Sequence, residues 1–294
     1  MRIAITGAGG FIGRRLAAAA QEQGHAVIRL SRSGLGGRRW DPMSEPAPLE
    51  GAEAVIHLAG ESLTGGRWTR SKMARIRSSR IVGTRHLIHG IRDARPRVLV
   101  SASAVGYYGD RADEDLTEDS DPGVDFLSTV CSAWEAEARE SGIRTVVLRT
   151  GMVLGPGGAL EKMIPPFAKG LGGILGNGRQ WMSWIHREDL VNLYLFAAAR
   201  EKLSGPVVAT SPNPVRNEEF TRTLAQVLDR PAVFRVPRWG ARLAFGKVAS
   251  VLFSSQRCRP LRALEEGFRF IYPDLDSALL EAVGAFRSRR ERVA

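Results

Sequence analysis

Through the first half of the chain, short apolar runs alternate with stretches of helical periodicity. Ile3 and Ile5 alternate with small or polar neighbours over Ile3 to Thr6, the pattern of a buried strand. Further strands are predicted over Ala26 to Leu30, Ala54 to Leu58, Val98 to Ser101 and Thr145 to Leu148, with helices between them near residues 14–23, 71–92 and 126–141. In the last of these helices Leu127, Val130, Cys131 and Trp134 recur at helical spacing and form the core face. Strands and helices in strict alternation imply an α/β fold, a doubly wound parallel sheet covered on both faces. Beyond Arg149 the texture changes to a glycine- and proline-rich stretch, Gly155-Pro156-Gly157-Gly158 through Gly176-Asn177-Gly178. A loop-rich segment rooted at the carboxyl ends of strands is where open α/β sheets bind ligands, so a smaller C-terminal substrate lobe is expected. Its tail, from Asn217 through Leu280, reads as helices broken at Pro231, Pro237, Pro260 and Pro273. The expected division is residues 1–155, together with 183–212, as the core and residues 156–182 and 213–294 as the substrate lobe.

The first strand runs into Thr6-Gly7-Ala8-Gly9-Gly10-Phe11-Ile12-Gly13, and a helix begins as the glycines end. Gly7 lets the chain turn off the strand, Gly10 lets backbone approach a pyrophosphate, and Gly13 lets the helix pack closely on the sheet. The phosphates then lie at the helix N-terminus, where free N–H groups favour negative charge. Phe11 and Ile12, between the second and third glycines, are counted with this cofactor site. The strand before the turn, the helix after it and a second strand up to Leu30 complete a βαβ unit of the expected length, which makes the fold Rossmann-type. The spacing Thr-Gly-x-x-Gly-x-x-Gly resembles that of extended short-chain dehydrogenases and sugar-nucleotide epimerases.

Composition narrows the class. The chain has 294 residues, 44% hydrophobic and 25% charged, as in an ordinary globular protein. Strand begins at residue 2 with no charged-then-apolar leader, and no apolar run reaches the roughly 18 residues of a membrane span, so a cytoplasmic protein without membrane partners is expected. Cys131 and Cys258 are the only cysteines and lack metal-ligand spacing, so no metal is expected. A net charge of +11 invites a nucleic-acid reading. Against it, only five of the 42 basic residues are lysine, the arginines are scattered, and the densest cluster, Arg287 to Arg292, has no interleaved aromatics. Small phosphorylated molecules are the expected partners, with no specific nucleic acid; the oligomeric state is left open.

In relatives that use NAD, an acidic residue closes the second strand and binds the adenosine ribose 2′-OH. Here that place reads Ser31-Arg32-Ser33. A hydroxyl followed by a guanidinium suits a 2′-phosphate, which predicts NADP(H) in preference to NAD(H). Arg38 and Arg39 are available to add to it; the alternative is that Arg32 is one more solvated arginine. By the same resemblance, Ala59 and Gly60 in His57-Leu58-Ala59-Gly60 line the cofactor, while Trp40 either reaches the adenine or belongs to the core.

Short-chain dehydrogenases use a Tyr-x-x-x-Lys pair for acid-base work, with a Ser or Thr polarising the substrate oxygen. The resemblance puts Ser103 at the position of that serine, within Val100-Ser101-Ala102-Ser103-Ala104-Val105-Gly106-Tyr107-Tyr108-Gly109. The pair is absent. Four residues beyond Tyr107, Tyr108, Tyr194 and Tyr272 stand Arg111, Ala112, Ala198 and Asp276. Ser-Arg-Ser, Leu-Ala-Gly-Glu, the double tyrosine, Trp134-Glu135-Ala136, Arg149-Thr150-Gly151-Met152, Trp184-Ile185-His186 and Pro212-Asn213-Pro214-Val215 together are similar to an atypical, epimerase-family branch of extended short-chain dehydrogenases. That resemblance implies an NADP(H)-binding oxidoreductase or epimerase-like enzyme for a small carbonyl or hydroxyl compound, sugar-like ones included. The alternative is an NADPH-binding regulatory or interaction protein that has lost turnover. Ser103, Tyr107 and Tyr108 are the catalytic candidates. Glu61, Arg149, Lys162, Trp184 and His186 are the substrate-site candidates, each with a packing or solvated role as its alternative.

Overall fold

In the computed structural model every residue is described except 35, 65, 233, 247–248 and 292–294, and for 242, 244, 245 and 289–291 only the backbone is described. Arg292, the end of the basic tail, therefore lies outside the described residues. The first half contains β1 (Arg2–Thr6), α1 (Phe11–Glu22), β2 (Ala26–Ser31), β3 (Arg38–Arg39), β4 (Ala54–His57), α2 (Arg70–Ala94), β5 (Val98–Ala104), β6 (Asp115–Leu116), α3 (Phe126–Arg139) and β7 (Arg144–Thr150). The second half contains β8 (Met152–Leu154), α4 (Gly158–Ala168), β9 (Gly173–Leu175), β10 (Trp181–Met182), β11 (Trp184–His186), α5 (Arg187–Ala199), β12 (Gly205–Ala209), β13 (Val215–Arg216) and α6 (Asn217–Val227). They are followed by β14 (Phe234–Val236), α7 (Arg238–Phe245), α8 (Ala249–Phe253), β15 (Arg257–Cys258), α9 (Leu261–Glu265) and α10 (Leu275–Glu291).

Seven parallel strands form the central sheet in the order β12-β7-β5-β4-β1-β2-β3. Strand alternation divides its side chains between two cores. Ile3, Ile5, Ile56, Val100 and Leu148 join α1 and α5 on one face. Ala4, Val55, Leu99 and Val147 join Leu87, Ile88 and Ile91 of α2 on the other. Trp40 belongs to this second core, 1% exposed, and its indole N–H donates to the Glu45 carbonyl. A third cluster gathers Leu160, Ile164, Phe167, Trp184, Phe220, Leu224, Leu279 and Val283 from α4, β11, α6 and α10.

The five predicted strands and three predicted helices all form, and β5 continues three residues beyond Ser101, to Ala104. α4 replaces an expected loop. Pro165 and Pro166 lie inside it, and prolines ordinarily oppose a helix interior. The apolar stripe Leu160, Ile164 and Phe167 is buried, and tertiary burial of such a face outweighs local propensity. Strand order reverses between β1 and β4, so the crevice at their carboxyl ends is the switch point where such sheets take ligands. No helix among the described residues is long and apolar enough to cross a membrane.

Candidate cofactor and substrate site

Gly7 has φ +67°, and a Cβ there would lie 3.0 Å from the Ala59 nitrogen and the Leu58 carbonyl carbon. At Gly13 a Cβ would lie 2.3 Å from the Gly7 carbonyl oxygen, so these two glycines are required by the turn and by the contact between helix and turn. Gly10 differs. Its Cβ would meet only the Gly7 oxygen, at 3.2 Å, and at Gly9 a Cβ would meet nothing within 4 Å. Gly10 begins α1 without a side-chain cap, and no acidic residue stands in the first turn. The N–H groups of Phe11, Ile12 and Gly13 thus have no intrahelical acceptor, leaving the positive end of the helix available to an anion.

A buried hydrogen-bond chain joins this turn to β4. The Leu58 and Ala59 N–H groups donate to Thr6 Oγ1 at 3.1 and 3.2 Å. With its acceptor capacity used, the Thr6 hydroxyl donates to His57 Nδ1 at 2.7 Å. The imidazole proton then lies on Nε2 and points to Thr84 Oγ1 at 3.0 Å. Burial pushes the His57 pKa down to about 3, so the ring is neutral and fixed in one tautomer. Sequence reasoning assigned Ala59 and Gly60 of this segment to the cofactor site; Thr6, itself bonded to His57, holds the Leu58 and Ala59 N–H groups in position.

At the end of β2, Ser31 Oγ lies 3.3 Å from Ser33 Oγ. Arg32 is exposed and forms no hydrogen bond or ion pair with a described residue. Arg39, in register with Ser31 on β3, is likewise exposed and unpaired among the described residues. Arg38 is occupied elsewhere, donating to Glu50 Oε2 at 2.8 Å and to the Pro48 carbonyl at 2.9 Å.

Ser103, 4% exposed, turns its hydroxyl onto α3 and donates to Glu135 Oε1 at 2.7 Å. Glu135 also receives Arg149 Nε and Nη2, each at 3.0 Å. Arg149 Nη1 donates to Tyr108 Oη at 3.1 Å and to the Glu118 carbonyl at 2.9 Å. Tyr108 in turn donates its hydroxyl proton to the Thr117 carbonyl at 2.8 Å, and burial raises its pKa further from neutrality. Tyr107 is different: partly exposed, its ring lies 3.5 Å from the Arg149 guanidinium, and its hydroxyl has no partner among the described residues. Arg149, 2% exposed with its donors spent inside the protein, is the centre of an internal network and is not placed to grip a substrate anion. Glu135 was visible in the sequence only as part of Trp-Glu-Ala; its ion pair joins segments 14 residues apart, on α3 and β7.

The remaining substrate-site candidates are dispersed. Glu61 pairs with Lys72 at 2.7 Å and with Arg75 at 3.5 Å. Lys162, exposed on α4, donates to the Thr64 carbonyl and bridges α4 to the loop after β4. Trp184, 0% exposed, fills the third core and donates to the Asn213 carbonyl. His186 is buried as the N-cap of α5, accepting the Glu188 N–H at Nδ1 and donating from Nε2 to Glu281 at 2.6 Å. Trp184 and His186 thus take the packing roles that were their alternatives, Trp184 in a different core from its neighbour Ile185 and His186 at the start of α5.

A seven-stranded parallel sheet with a glycine turn at its switch point defines a Rossmann-type fold. The chain belongs to the NAD dependent epimerase/dehydratase family, whose sequence model matches residues 3–208. A domain of unknown function matches residues 236–282. The chain is 40% identical over 288 residues to an epimerase family protein of Mycobacterium bovis, covering 94% of this chain and 96% of that one. It is 39% identical over 298 residues to the epimerase family protein YfhF of Bacillus subtilis, covering 96% and 98%. Among solved structures, that of human epimerase family protein SDR39U1 with NADPH superimposes with a TM-score of 0.88 at 31% identity, over 97% of this chain and 99% of that one.

Proposed function

We propose that this chain binds NADP(H) in preference to NAD(H) and serves as an oxidoreductase or epimerase-type enzyme for a small carbonyl or hydroxyl compound. The observation that carries the reading is the end of β2. Arg32 and Arg39 are exposed and unpaired among the described residues, beside Ser31, and residues 31–40 contain no Asp or Glu. The site fits such a cofactor: α1 has an uncapped, acid-free first turn, and Gly9 and Gly10 put no side chain over it. NADPH in the human relative's structure supports the same preference.

A bound nicotinamide supplies two-electron oxidation and reduction; the protein must move the proton. Tyr107 is the phenol best placed for that, partly exposed and with its hydroxyl uncommitted among the described residues. Ser103 can donate to a substrate oxygen only by turning its proton away from Glu135. Turnover is therefore expected to be slow. General acid-base groups contribute about 10² to 10⁴ in rate, so losing the usual pair lowers turnover without abolishing it. Ser103→Ala is expected to reduce turnover and leave NADPH affinity nearly unchanged.

The second reading, an NADPH-binding regulatory protein without turnover, is favoured by the way Ser103, Tyr108 and Arg149 spend their polar groups on Glu135, on one another and on carbonyls. The two separate on a panel of carbonyl compounds with stereospecifically deuterated NADPH. Deuterium in a product supports the enzyme, whereas no labelled product from any compound, or a Ser103→Ala variant as active as the native protein, overturns the proposed chemistry.

A further inference from the structure

The glycine- and proline-rich run after β8 shapes a second cavity. It admits the Phe11 ring: a Cβ at Gly155, Gly157 or Gly158 would lie 3.2, 2.5 or 3.1 Å from that ring. The ring is thereby fixed as one wall of a cavity of about 290 Å³, whose other lining residues are Arg14, Arg15, Pro156 and Arg187. Arg14 and Arg15 come from α1, and Arg187 is the first residue of α5, the helix packed beside α1 on the same face of the sheet. The Arg187 guanidinium stands 5.7 Å from the centroid of the Phe11 ring.

Three guanidinium groups around one cavity repel one another unless anions balance them. Glu188 serves two of them, Arg15 at 2.7 Å and Arg187 at 3.1 Å. Glu22 pairs with Arg15 at 3.0 Å, but its side chain is 62% exposed, so solvent screens its charge. Arg14, exposed on α1, has no carboxylate partner among the described residues; its Nη1 donates to the Gly9 carbonyl at 3.0 Å. Arg14 Nε and Nη2, Arg15 Nη2 and Arg187 Nη1 bond to no described residue. Guanidinium forks match the paired oxygens of a phosphate. Arg15 and Arg187 are held by Glu188 before any ligand arrives, which lowers the cost of ordering them. The cavity is separate from the pyrophosphate position: that position uses main-chain N–H groups at the start of α1, whereas the cavity is built from side chains on the flank that meets α5.

We propose that this cavity is a second anion site, which takes the phosphate of a small phosphomonoester on Arg14, Arg15 and Arg187 and rests the apolar part of that molecule on Phe11. The probes are phenyl phosphate and inorganic phosphate, titrated calorimetrically into the full chain, alone and saturated with NADPH. Arg14→Gln and Arg187→Gln each remove one guanidinium and leave Glu188 paired with Arg15; melting curves verify the fold of both. Phenyl phosphate is expected to bind with and without NADPH, and more tightly than inorganic phosphate. Each variant is expected to weaken it about tenfold or more. Absence of binding, displacement of phenyl phosphate by NADPH, or unchanged affinity in both variants overturns the site. Equal affinity for the two probes overturns the role given to Phe11. If the native protein binds no NADPH, the cofactor reading falls, and the titrations of the free protein and its two variants decide this site by themselves.

Discussion

Glu135→Gln probes the network beneath the crevice with almost no change of shape. The Glu135 side chain is 0% exposed and that of Arg149 2% exposed, and the carboxylate accepts from Ser103 at 2.7 Å and twice from Arg149 at 3.0 Å. Removing one partner of a buried pair costs about 3–5 kcal/mol. Glutamine keeps one acceptor oxygen but turns an amide N–H₂ toward guanidinium or hydroxyl donors, so a loss of about 3 kcal/mol is expected. At about 2–4 °C per kcal/mol for a chain somewhat shorter than this one, the melting temperature falls by roughly 6–12 °C. Arg149→Met leaves Glu135 with Ser103 and with Arg139 at 3.4 Å. The carboxylate then loses both of its hydrogen bonds from Arg149, so a loss of about 3 kcal/mol is expected here too. Glu135→Leu combined with Arg149→Met removes both charges and is expected to cost far less than the sum of the singles. Urea unfolding followed by tryptophan fluorescence gives all three values. A Glu135→Gln loss below about 1 kcal/mol, or strict additivity in the double variant, would refute the reasoning.

Two further predictions concern the turn. Because the folded pKa of His57 is about 3 and the unfolded value about 6.5, the unfolded state binds the extra proton between them, so this residue makes stability fall with acidification by about 1.4 kcal/mol per pH unit below 6.5. His57→Gln is expected to flatten the stability profile between pH 6 and pH 4, and an unchanged slope would contradict a neutral buried imidazole. Gly13→Ala forces a Cβ to within 2.3 Å of the Gly7 oxygen and is expected to lower stability by about 1–3 kcal/mol. Gly10→Ala, with its nearest contact at 3.2 Å, is expected to leave stability within about 1 kcal/mol and still lose NADPH binding. Equal melting temperatures for the two variants, or intact binding in Gly10→Ala, would count against separate roles for these glycines.

The sheet was legible because each buried strand carries its own pattern. Ile3 and Ile5 on one face and Ala4 on the other assign the layers from sequence alone. The glycine turn was legible for a related reason, since Gly13 packs on the Gly7 carbonyl within the same turn, although the contact of Gly7 with Leu58 and Ala59 is not local. What sequence could not give were partnerships between distant segments. Glu135 meets Ser103 across 32 residues, and Thr6 meets His57 across 51; no spacing rule connects either pair. Arg149 and His186 have residue types suited to ligands, and only the structure shows that Arg149 is held by Glu135, Tyr108 and the Glu118 carbonyl and His186 by Glu281 and the start of α5. The α4 helix was hidden by Pro165 and Pro166, because propensity is read locally while the burial of Leu160, Ile164 and Phe167 is tertiary.

The cofactor preference is tested most directly by titrating NADPH and NADH against the native protein and against Arg32→Asp. A charge-assisted contact to the 2′-phosphate is worth about 1.5–3 kcal/mol, so the native protein is expected to hold NADPH about tenfold or more tightly than NADH. Arg32→Asp places a carboxylate where the phosphate would sit, and is expected to erase or reverse that ratio with no change in melting temperature, since Arg32 is exposed and bonds to no described residue. Superimposable NADPH and NADH curves for the native protein, or an unaltered ratio in Arg32→Asp, would contradict the account.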